Sequence, residues 1–151
     1  MSEVLDLYGR VSKLVRDLTD ASLRNHGLRL GQDHLLAQLW REDGRTPGEL
    51  AAAMGVSTPA VTKGATVLEK AGFLERRRDP RDHRLVRLWL TDVGTSVRAP
   101  VEAARAEVER TLLAGLSPDE VAGFRRALEK VQGAALDALA SPGKQADRGT
   151  P

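Results

Sequence analysis

The sequence predicts a mainly α-helical domain with one small antiparallel β wing, and three observations carry that expectation. Apolar residues recur at three- and four-residue intervals over long stretches. Helix starts are written in capping chemistry at Thr46, Thr91 and Ser117. Only the segment Leu85–Leu90 switches to a period of two. At 151 residues the chain can bury a core without disulfides or metal, so a single domain over residues 1–140 is expected. Residues 141–151, SPGKQADRGTP, are too polar and too rich in Pro and Gly to pack, which predicts a disordered tail.

Taken in order, Val4, Leu7, Val11, Leu14, Val15, Leu18 and Ala21 define a first long helix, broken by the two glycines of NHGLRLG at 25–31. Leu35, Leu36, Leu39 and Trp40 define a second, ending near REDGR. Thr46-Pro47-Gly48-Glu49 has a hydroxyl at the N-cap, proline at N1 and glutamate at N3, which predicts a capping box, and Ser117-Pro118-Asp119-Glu120 repeats it. Thr91-Asp92 opens one long helix through Val97, Val101, Ala104, Val108 and Leu112, with the acid where the dipole favours it. The last helix carries Val121, Phe124, Leu128 and Val131. Val86, Leu88 and Leu90 alternate with Leu85, Arg87 and Trp89 as a half-buried strand, and residues 73–78 supply its antiparallel partner.

Composition excludes several function classes. The chain has no cysteine, so disulfides, Cys-ligated zinc and thiol redox switching are absent. The start MSEVLDLYGR lacks the apolar core of a signal peptide, no run of 18 apolar residues occurs, and a cytoplasmic, membrane-free protein is expected. No nucleophile elbow, dinucleotide fingerprint, P-loop or HExxH is present, which argues against an enzyme, and no cofactor is implied. His26, His34 and His83 are the only histidines, and their spacing with acids such as Asp33 does not call for a metal site. Charge is unevenly spread: residues 57–90 hold eight Lys/Arg against four acids, whereas the remainder has fifteen against seventeen. A basic segment on a slightly acidic body suits a phosphate-bearing partner.

The stretch TPGELAAAMGVSTPAVTKGATVLEKAG at 46–72 has the spacing of two crossed helices. Leu50, Met54, Val56 and Val61 are its apolar positions, Ala51 is small at the helix approach, and Gly55 supplies positive φ at the turn. Followed by a hairpin, this helix-turn-helix becomes winged. Together with LEKAGFLERRRDPRDHR, whose wing reads Asp79-x-Arg81-Asp82-x-Arg84, and LTDVG at 90–94, the chain resembles the MarR family of bacterial transcriptional regulators over residues 4–140. The resemblance implies a homodimer built by terminal helices (4–30 and 92–140), a winged DNA-binding region (31–91), a palindromic double-stranded DNA operator, a repressor role and release by a small aromatic effector. Gly64 and Ala65 depart from the family, which has larger apolar residues there.

Candidate DNA-binding residues are Ser57, Thr58, Thr62, Lys63 and Thr66 on the second helix, with Ser57 or Thr58 also serving as its N-cap. At the wing tip they are Arg81, Asp82, His83 and Arg84, with Asp82 expected to orient Arg84 through a bidentate pair and Asp79 with Pro80 to shape the turn. His26, His34 and Trp40 fall near the joint where the family's effector cleft would lie. A winged protein-interaction module and a DNA-coating protein without sequence preference remain the alternatives.

Overall fold

The computed structural model describes residues 2–141, and the rest of the expected tail lies outside them. The order is α1 (Glu3–Arg24), α2 (Gln32–Arg41), α3 (Pro47–Met54), α4 (Thr58–Lys70), β1 (Leu74–Arg78), β2 (Val86–Leu90), α5 (Asp92–Ser96), α6 (Arg98–Leu113) and α7 (Pro118–Ala140). The residues form two compact units, one reaching Glu109 and the other starting at Arg110. The winged helix-turn-helix expected from the sequence lies wholly in the first.

The core of that unit is leucine-rich. Leu23 and Leu28 flank the end of α1, Leu35, Leu36 and Leu39 come from α2, Leu50 and Ala51 from α3, Val61, Ala65 and Leu68 from α4, and Val101 from α6. Phe73, Leu74 and Leu88 close it from the wing. Asp20 organises the connection after α1: its carboxylate accepts from Arg29 Nε at 3.0 Å, the Leu30 amide at 2.8 Å and Arg24 Nη2 at 2.7 Å. Those donors, Arg29 foremost, hold its pKa well below the ordinary carboxylate value.

Capping chemistry works largely as written. Gly55 ends α3 at φ 67°, the left-handed conformation that glycine adopts without steric cost. Ser57 is the N-cap of α4, its hydroxyl accepting from the Ala60 amide at 3.2 Å. Ser117 and Glu120 make a complete capping box. At α3 only half of the expected box forms: Thr46 accepts from the Glu49 amide, but the Glu49 carboxylate lies 3.8 Å from Arg87. A guanidinium is a stronger partner for a carboxylate than a neutral amide.

Two further expectations are corrected. The helix after Thr91 is interrupted at Val97, because Pro100 lacks an N–H for the Ser96 carbonyl and its ring crowds that oxygen. Val56 is 45% exposed instead of packed with Leu50 and Val61. At Gly64 a Cβ would meet only Leu35 Cδ2, at an ordinary 3.7 Å. Close approach therefore does not require this glycine. Gly64→Ala is expected to raise stability by about 0.5 to 1 kcal/mol by restricting the unfolded chain and favouring helix. Chemical denaturation checks this, and a destabilised variant would contradict it.

In the second unit, α7 has no buried residue, and Phe124, Leu128, Val131, Leu136 and Leu139 are exposed along it. In the first, α1 leaves Val4, Leu7, Tyr8, Val11, Leu14 and Leu18 exposed. Each set follows helical spacing and forms an apolar stripe.

Candidate nucleic-acid interface

Helix α4 buries Val61, Ala65 and Leu68, a three-four spacing that turns one face to the core. Ser57, Thr58, Thr62 and Lys63 are left exposed at its N-terminal half. Thr66 behaves differently. Its hydroxyl donates to the Thr62 carbonyl at 3.0 Å and accepts from Arg76 Nη2 at 2.9 Å, so it is held by the first strand of the wing.

The wing pairs Leu74 with Leu90, Arg76 with Leu88 and Arg78 with Val86 in an antiparallel ladder. The Leu88 amide also donates to the Arg45 carbonyl at 2.9 Å, so the loop before α3 extends the sheet by one bridge. Arg77 lies 5.5 Å from the Trp89 ring centroid, a cation–π contact on the outer side of the hairpin.

Asp79 is the pivot of the tip. One carboxylate oxygen accepts the amides of Arg81 at 2.7 Å and Asp82 at 3.1 Å, and the other accepts Arg87 Nε at 2.7 Å. Arg87 in turn donates to the Gly44 carbonyl at 3.0 Å. The Arg87 bond first, then the two amides, lower the Asp79 pKa from 3.8 to about 2. A depressed carboxylate pKa adds stability above the unfolded value, and that contribution disappears as pH falls through the folded one. The tip should therefore keep its geometry above about pH 4 and loosen between there and pH 2. A carboxyl NMR titration placing Asp79 near its unperturbed value would contradict this.

Arg81, His83 and Arg84 are exposed around this pivot. Asp82 does reach Arg84, accepting its amide at 3.1 Å and its Nε at 3.2 Å. The contact uses a single carboxylate oxygen instead of the expected bidentate fork, and the Arg84 side chain is 91% exposed.

Sequence reasoning missed Arg76, Glu69 and Arg87 as organisers of this region. Arg76 Nη1 donates to Glu69 Oε1 at 2.9 Å, its amide to Glu69 Oε2 at 3.0 Å, and its Nη2 to the Thr62 carbonyl at 3.0 Å. Strand parity is the signal that finds it: Arg76 shares a face with buried Leu74, and a charge on that face needs a partner.

A cavity of about 250 Å³ between α2 and α6 brings together two of the three proposed effector residues. His34 and Trp40 line it with Asp33, Glu102 and Arg105. His26, in the turn after α1, is not among its walls. Asp33 is buried, accepts the Gly31 amide at 3.1 Å and pairs with Arg105. Trp40 Nε1 donates to the Gly94 carbonyl at 2.9 Å, tying the cavity wall to α5.

Fold and site together define a winged helix-turn-helix protein. A sequence model of the MarR family matches residues 28–86. The uncharacterized HTH-type transcriptional regulator YdgJ of Bacillus subtilis is 32% identical over 97 residues, covering 62% of this chain and 57% of that protein. The chain spans between 53% and 60% of the length of YdgJ and two other curated relatives. Wild-type MarR from E. coli in its apo form superposes with a TM-score of 0.71 at 25% identity, over 87% of this chain and 97% of that one. S. aureus MepR, solved as a DNA complex, shares the fold with a TM-score of 0.77 at 24% identity, over 89% and 98%. The chain is thus similar in sequence to the MarR family over residues 28–86 and in fold to MarR itself, and the curated relatives it matches are named transcriptional regulators. No helix among the described residues is long and apolar enough to cross a membrane.

Proposed function

We propose that the chain is a cytoplasmic, homodimeric repressor that binds a palindromic operator in double-stranded DNA and is released by a small aromatic anion. The observation that carries the reading is the exposed hydroxyl-and-amine face of α4 beside a cationic, Asp79-braced wing tip. Thr58, Thr62 and Lys63 enter the major groove, where hydroxyls and amines serve base edges and phosphates. Ser57 caps the helix and stands at the phosphate backbone, while Thr66 acts through Arg76. Arg81, His83 and Arg84 reach the adjacent minor groove, whose negative potential attracts arginine, with Asp82 aiming Arg84.

Homodimerisation is supported by the exposed apolar stripes of α1 and α7, each of which requires cover that its own helix does not supply. Two-fold protein symmetry calls for two-fold DNA, and a bound dimer represses where its operator overlaps a promoter. The effector part rests on the cavity by Trp40 and His34, where an aromatic ring can stack and an anion can compete with Asp33 for Arg105.

Half-sites about 10 bp apart place both α4 helices on one face of the duplex. Inserting about five base pairs rotates one half-site to the far side and should reduce affinity to that of a single half-site. Survival of full affinity would refute the two-fold reading. A protein-interaction module would bind neither random nor selected duplex, and a coating protein would bind both alike across a salt titration.

A further inference from the structure

We propose that Arg76 is a positioning residue, whose guanidinium latches the wing to α4 and so fixes the spacing between major-groove and minor-groove contacts. The inference rests on the DNA-binding reading above. Arg76 belongs to β1, whereas every side-chain partner it has in this cluster belongs to α4: Glu69, the Thr62 carbonyl and the Thr66 hydroxyl. Its backbone amide adds a fourth bond to the second Glu69 oxygen. The latch therefore spans two turns of α4, from Thr62 to Glu69, and grips the backbone of Thr62, a residue proposed to read bases.

Geometry favours this role over a direct phosphate contact. Arg76 pairs with Leu88 across the ladder and shares its core-facing side, and only 27% of its side chain is exposed. Three N–H directions of the side chain are spent inside the protein. A planar fork can bond a carboxylate, a carbonyl and a hydroxyl in one arrangement, which a compact ammonium on a flexible stem does not reproduce. Lysine is therefore a poor substitute despite carrying the same charge.

The test uses the full chain as wild type, Arg76→Met, Arg76→Lys, Arg84→Ala and the Arg76→Met/Arg84→Ala double variant. Each is titrated across salt with duplexes that the wild type selects from a randomised pool and with an unselected duplex of equal length. The expected result is a loss on the order of tenfold for Arg76→Met on selected duplexes, from the cost of ordering a wing no longer preorganised. Arg76→Lys should not rescue it. Arg84→Ala should weaken the wild type but cost little more in the Arg76→Met background, because a loosened wing has already lost that contact. Thr66→Val and Glu69→Gln, which each remove one bond to Arg76, should weaken binding in the same direction and serve if Arg76→Met does not fold. Additive losses with a further drop of about one in the log–log salt slope would make Arg76 a phosphate contact and overturn the proposal. Rescue by lysine, or unchanged affinity with only a lower Tm, would overturn it as well. A wild type that binds neither the pool nor the unselected duplex would sink the DNA-binding reading itself, and the latch with it, while binding without enrichment would sink the operator reading.

Discussion

Deleting residues 117–151 is expected to convert the protein to a monomer and to weaken operator binding by roughly 10²-fold or more, because the second half-site is no longer engaged by a linked copy. The deletion removes α7, which buries none of its own residues and carries the exposed stripe from Phe124 to Leu139. Residues of that size are stable in water only when another surface covers them. The first unit retains its own leucine core without α7, so circular dichroism should still report helix while light scattering reports one chain. A folded dimer after the deletion would refute this.

Gly94→Ala is expected to be strongly destabilising, with a loss of about 3 kcal/mol. Any Cβ at this position would overlap the carbonyl oxygen of Phe73, which is backbone and has no rotamer to escape into. The close approach is fixed from several sides. Thr91 donates its amide to that same oxygen at 3.2 Å and its hydroxyl to the Gly72 carbonyl at 2.6 Å, and it caps the Gly94 amide at 3.1 Å. Thermal unfolding should show a Tm fall of roughly 6 to 12 °C for a chain of this size. An unchanged Tm would mean that the α5 turn shifts freely, and Gly64→Ala, expected to act in the opposite direction, is the natural control.

How much of this could be seen in the sequence depended on whether the signal was local. At the helix ends, Gly55, Thr91 and Ser117 act on residues within one turn of themselves, and those capping roles are legible from spacing alone, whereas spacing leaves the α4 cap open between Ser57 and Thr58. The hairpin was legible from the alternation of Val86, Leu88 and Leu90. The Thr46 box was only half legible, because the competitor for Glu49 is Arg87, 38 residues on. The sequence places Asp79 in the turn, where it is, but its bond to Arg87 depends on the strand register. Arg76 was hidden in a run of three arginines, and only the parity of β1 separates it from Arg77. His26 lies near His34 and Trp40 along the chain, but it is not among the residues that line the cavity. The interruption at Val97 was a missed local signal, since Pro100 was there to be read.

The bond from Trp40 to the Gly94 carbonyl gives the molecule a built-in optical readout. There are two tryptophans in the chain, and they stand in different places: Trp40 on the cavity wall, and Trp89 on β2 beside the Arg77 guanidinium. Indole emission responds to the polarity around the ring and to the acceptor held by its N–H. A molecule filling the cavity acts on the first fluorophore, while rearrangement of the wing acts on the second. Replacing either tryptophan with phenylalanine leaves a single indole, which can be excited apart from Tyr8 at the red edge of absorption, so occupancy of the cavity and movement of the wing can be followed separately in the unlabelled protein.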